Sequence, residues 1–183
     1  MTEDSRNVLA WLVTPRIPAR GRFSRGGLLL SALVAVHVTI LAATLLKQAS
    51  ISNAIGAVLV AWIVLLPALA MIGAVAFLGI AFASIQWLRP NLIVYVLAGM
   101  LAGATHFWLG TLFSLKNQSN WMVLLYMVGG FWMSNPTSSG AVNLVGFHAQ
   151  VLGGAFAGMT FAFTGTKEIV TTGKSMTEHS KAA

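Results

Sequence analysis

The sequence predicts an all-α integral membrane protein: four transmembrane helices, with a short interfacial or re-entrant apolar segment before the last. Two observations carry this. Residues 5–167 contain no Asp or Glu, and between Gly26 and Thr166 the only permanent charges are Lys47, Arg89 and Lys116. The chain of 183 residues is also 57% hydrophobic and 8% charged, where soluble domains carry about 25% charged residues. An outer surface this poor in charge suits lipid rather than water.

Residues 1–27 read as a basic cytoplasmic or interfacial leader. Five of the eleven Lys and Arg residues lie in the first 25 positions, and three lie in the last 17. A net charge of +7 placed at the two ends points to membrane topology and anionic lipid, not to a nucleic-acid patch. The apolar stretch from Asn7 to Val13 is expected to lie in the interface, with the arginines after it meeting anionic headgroups. Glu3 and Asp4 argue against a mitochondrial transit peptide. The leader also lacks the pattern of a cleaved secretory signal, so the first span is read as retained.

The membrane domain is placed at 28–165, with spans at about 28–46, 54–86, 92–115 and 142–163, and residues 166–183 form a polar cytoplasmic tail. The first span is long enough for a hydrocarbon core of about 30 Å. Lys47 to Asn53 is a polar break. From Ala54 to Leu88 the chain carries no charge, and at 1.5 Å per residue it is too long for one upright span and too short for two. One long tilted helix, kinked near Pro67, fits that length. Arg89-Pro90-Asn91 makes the next turn. Residues 121–133 are apolar but reach only about 20 Å, so they do not cross.

Charge selects four spans over five. With both termini inside, nine basic residues lie on the inner side and two, Lys47 and Lys116, on the outer; a fifth crossing would make the split six to five. The positive-inside rule favours four spans with both termini cytoplasmic, and the location expected is the bacterial inner (cytoplasmic) membrane.

Two segments resemble each other. Val96 to Gly110 laid on Val151 to Gly165 gives seven identities in fifteen positions, with the pairs Gly99/Gly103 and Gly154/Gly158 in register. Glycines four apart form a groove in which two helix backbones approach closely. Shared Gly/Ala composition explains the match more simply than an inverted duplication does. The helix-packing role of the four glycines is the expectation retained.

Chemistry inside the spans rests on His37, His106 and His148, which the four-span topology puts at similar depth. Two imidazoles on facing helices can ligate a haem iron, and one can ligate the magnesium of a (bacterio)chlorophyll. The simpler reading is a neutral imidazole hydrogen-bonded to a neighbouring helix, with Thr39, Thr105, Asn143 and Gln150 as partners. No carboxylate is at hand to orient an imidazole or relay a proton. The polar stretch from Ser134 to Asn143, with Asn135 and Asn143, is the candidate solute or ion loop; its simpler reading is an external loop that caps the last helix. Cysteine is absent, which excludes disulfides, thiolate metal sites and cysteine nucleophiles. No phosphate loop, zinc motif or nucleophile elbow is present, and no enzyme is expected.

The functional expectation is an accessory, structural or assembly subunit that packs against other membrane subunits or against its own copies, with no catalytic residue, metal or required cofactor. The alternatives are a haem- or (bacterio)chlorophyll-binding subunit using the histidines, and a small channel or transporter.

Overall fold

The computed structural model describes residues 3–18, 24–47, 50–63, 66–114 and 143–168. In chain order these form α1 (Glu3–Val13), β1 (Arg16–Pro18), α2 (Arg25–Leu46), α3 (Ile51–Ile63) and α4 (Leu66–Ile85). A 3₁₀ turn (Gln86–Leu88), α5 (Leu92–Ser114), α6 (Leu144–Thr164) and β2 (Thr166–Glu168) follow. Among the described residues, four helices are long and apolar enough to cross a membrane: Arg25–Leu46, Ala68–Leu88, Leu92–Leu112 and Leu144–Thr164. The 121–133 segment and Asn135 lie outside the described residues.

The helix ends follow from local polar residues. Ser24 caps α2 by accepting from the Gly27 N–H at 3.1 Å, and Asn143 caps α6 by accepting from Gly146 at 3.0 Å. Asn91 does the same for α5 through Val94, also at 3.0 Å. Each side chain satisfies an amide that has no partner within its helix. The turn into α5 contains Arg89 at φ 48, the one non-glycine residue with positive φ among those described.

Within the run expected as one long helix at 54–86, the described residues are helical as α3 and α4, and residues 64 and 65, which would join them just before Pro67, lie outside the described set. At 13 residues, α3 spans only about 20 Å. It packs on α2 and barely touches α4.

Helix α6 is the spine. It runs antiparallel to α2, with Gly27 beside Gly165 and Thr39 beside Gly153, and antiparallel to α5, with Gly99 beside Gly154. A Cβ built on Gly99 would collide with the Gly154 carbonyl, and one on Gly154 would collide with the Gly99 carbonyl. Four residues along, Gly103 abuts the Gln150 carbonyl and Gly158 abuts that of Tyr95. These contacts are reciprocal about the Gly99–Gly154 crossing, in the same register as the sequence match. Helix α4 lies over the groove between α2 and α5 and meets α6 very little.

Leader and tail close one end of the bundle. β1 and β2 pair antiparallel, Arg16 opposite Glu168 and Pro18 opposite Thr166. Arg16 is only 4% exposed. Its guanidinium lies against the Trp11 and Phe163 rings, 5.2 and 5.3 Å from their centroids, and the two rings stack on each other at 5.3 Å. Nη1 is 3.4 Å from the Ala162 carbonyl oxygen near the C-terminus of α6, where a cation complements the helix dipole. The Arg16 amide donates to the Pro90 carbonyl at 2.9 Å. The expectation that all leader arginines face anionic lipid therefore fails for Arg16, which is buried in the bundle end. Behind it, Phe82 stacks on Phe161 at 4.4 Å and Tyr95 packs edgewise on Phe82 at 5.7 Å.

Candidate functional site

The three sequence-singled histidines occupy three different surroundings. His37 on α2 faces α3. Its Nδ1 is 2.6 Å from the Leu33 carbonyl oxygen, and its Nε2 accepts the Trp62 indole N–H. A carbonyl can only accept and an indole can only donate, so Nδ1 carries the proton and Nε2 the lone pair. Both ring nitrogens are thus engaged within the bundle.

His148 lies on the outer face of α6. Its Nδ1 is 2.7 Å from the Leu144 carbonyl oxygen, which fixes the proton there and leaves the Nε2 lone pair on the exposed side. The Phe147 ring lies 5.7 Å from the imidazole, and Phe107 and Trp108 on α5 lie 5.5 and 6.4 Å from Phe147.

His106 is the histidine that the fold turns inward. Its Nδ1 lies 3.0 Å from Oε1 of Gln150, which is only 4% exposed on α6. The Phe77 ring of α4 meets the imidazole edge-on at 5.0 Å. Because an amide can present either its oxygen or its nitrogen, this pair sets a hydrogen bond without fixing which imidazole nitrogen holds the proton.

The His106–Gln150 pair lines a half-open pocket of about 50 Å³ between α2, α4, α5 and α6. Alanine and glycine make up half of its wall: Ala35, Ala70, Ala74, Ala102, Gly103 and Gly154. Thr39 supplies the third polar side chain. Such a volume is several times the roughly 10–15 Å³ that one water requires. The buried hydroxyls of Ser31 and Thr111 return to carbonyls four residues back, at 2.7 and 3.0 Å. The Thr39 hydroxyl makes no such bond among the described residues, although the side chain is buried.

Of the sequence-named residues, His106, Gly103 and Gly154 line this site, and Gly99 and Gly158 lie beyond it along the same seam. Asn143 is the α6 cap rather than part of the pocket. Thr39 and Gln150 were named only as hydrogen-bond partners. No pattern in the sequence marks them as pocket residues, although Gln150 is the one amide side chain within α6. No group of three or more His, Cys, Asp or Glu side chains converges among the described residues. Comparison with protein-family profiles, with curated proteins and with solved structures finds no match.

Proposed function

We propose that this chain is a multi-pass protein of the bacterial cytoplasmic membrane, with both termini inside, acting as an accessory or assembly subunit that packs against a larger membrane complex. The observation that carries the reading is the closure of the α6 seam. Along the middle of the bundle the backbones of α2, α5 and α6 touch through Gly153, Gly99, Gly154 and Gly158. A solute path needs polar lining along the bundle; this seam is glycine against carbonyl. Outward, α3 offers Ile55, Leu59, Trp62 and Ile63, all exposed, on a helix that among the described residues packs mainly on α2. The β1–β2 ribbon brings leader and tail to one end, which suits two cytoplasmic termini.

The test is recovery of the tagged chain from native membranes in mild detergent, after brief cross-linking. A stoichiometric larger complex supports the reading. A chain that elutes alone, cross-linked or not, overturns it. Solute flux in liposomes that is abolished by Asn135→Ala would replace it with the transport reading.

One observation favours a second reading, that of a pigment- or haem-binding subunit. His148, with Nδ1 bonded to the Leu144 carbonyl, the side chain exposed and the Phe147 ring beside it, fits a single axial ligand better than a pair of histidines does. A tetrapyrrole absorption band in the purified protein, lost in His148→Ala, would establish it, and a colourless protein would remove it.

A further inference from the structure

His37 and His148 are held alike at one ring nitrogen and differently at the other. Each Nδ1 lies against the carbonyl oxygen four residues back in its helix, Leu33 at 2.6 Å and Leu144 at 2.7 Å. A carbonyl only accepts, so in both rings Nδ1 carries the proton and Nε2 keeps a lone pair. At His37 that lone pair takes the indole N–H of Trp62. At His148 it meets no donor among the described residues.

A donor without an acceptor stands on the next helix. Trp108 of α5 is exposed, and its indole N–H makes no hydrogen bond among the described residues. The Phe147 ring lies 5.7 Å from the His148 imidazole and 6.4 Å from the Trp108 ring, but the two polar groups do not pair within the chain. Both belong to helices of span length, where lipid tails offer no partner and an unmade hydrogen bond costs free energy.

The donor and the acceptor also share a depth. Helices α5 and α6 run antiparallel, and the His106–Gln150 bond sets residues 106 and 150 level. Trp108 and His148 each stand two residues, about 3 Å, farther toward the end away from the β1–β2 ribbon. A twofold axis along the bilayer normal preserves depth, and it pairs residue i of one copy with residue j of the other, and j with i. Around the two, Leu101 and Leu112 on α5 and Leu144 and Leu152 on α6 are exposed at helical spacings. Neither helix contains Asp, Glu, Lys or Arg, so two copies of this face meet without charge repulsion.

We propose that the α5–α6 face carrying Trp108 and His148 is a twofold interface between two copies of this chain in the membrane, in which the Trp108 indole of each copy donates to the His148 Nε2 of the other. The pairing repeats between chains the bond that Trp62 and His37 make within one. The inference rests on the membrane reading of the helices and is independent of the accessory role. It competes with the tetrapyrrole reading for the same nitrogen.

The experiment follows energy transfer between donor- and acceptor-labelled full-length chains in liposomes as added lipid dilutes the protein. Membranes are first washed with alkaline carbonate; release of the protein there would overturn the bilayer reading and the dimer with it. With the protein retained, a monomer–dimer equilibrium is expected. Trp108→Phe and His148→Phe should each weaken it about tenfold or more, because one substitution removes both symmetry-related bonds. The decisive arm mixes the two variants. One keeps His148 and the other keeps Trp108, so the mixed dimer regains one bond and should form about threefold or more tighter than either variant with itself. Misfolded chains cannot produce that rescue. Leu59→Ala on the exposed face of α3 should leave the equilibrium unchanged. Chains that stay monomeric at every dilution, mixed dimers no tighter than the self-pairs, or a loss in Leu59→Ala as large as in Trp108→Phe would overturn the proposal. So would a tetrapyrrole band in the purified protein that His148→Phe removes.

Discussion

The two halves of the bundle are built differently around the same spine. At the ribbon end, α4 contributes Leu78 and Phe82 to a core with Tyr95, Ala157 and Phe161, and Arg16 seals it from outside. Toward the other end, α4 offers Ala70 and Ala74, and the space they leave is the His106–Gln150 pocket. Helix α6 is backbone-close to its neighbours in both halves, through Gly165 at one end and Gly153 and Gly154 nearer the other. What changes is the size of the α4 side chains. Large rings fill one half, and small residues leave the other able to admit a group.

Breaking the filled half gives the largest expected effect. Phe82→Ala removes a fully buried ring stacked on Phe161 and should cost about 3–5 kcal/mol, read from reversible unfolding in detergent. Arg16→Ala comes next. It removes the charged bond to Ala162 and the contacts with Trp11 and Phe163. A loss of about 1.5–3 kcal/mol is expected, together with faster hydrogen exchange in β1 and β2. A neighbouring pair sharpens the picture of the spine. Gly27→Ala forces a methyl to within 2.8 Å of the Gly165 Cα, whereas Gly26→Ala meets nothing within 4 Å. The first should cost about 1–3 kcal/mol, and the second should be neutral or slightly stabilising, because alanine favours a helix. Trp62→Phe, away from both cores, should cost about 0.5–1.5 kcal/mol by removing the bond to His37. The ring nitrogens of His37 would report it by NMR.

The four long helices were legible because charge-free runs of span length have few other physical solutions, and the glycine pairs were legible because their spacing matches the helical repeat. Arg16 was indistinguishable from its neighbours in an arginine-rich leader. Only the pairing of β1 with β2, a contact between distant parts of the chain, singles it out. The histidines were each legible as candidates, but which one faces inward depends on helix rotation. With apolar residues on every face, these helices carry no periodic signal to set that rotation. The His106–Gln150 pair joins residues 44 apart on two such helices, which no local pattern encodes.

The contrast between the halves is tested most directly by one substitution made in each. Ala157 is fully buried in the ribbon-end core, and Ala74 lines the pocket. The unfolding free energies of Ala157→Leu and Ala74→Leu, measured against the parent in the same detergent, decide the matter. A filled core should make Ala157→Leu lose about 1–3 kcal/mol, while Ala74→Leu stays within about 1 kcal/mol or gains. Equal losses in the two variants would contradict the account, because they would mean that the pocket half is packed as tightly as the ribbon half.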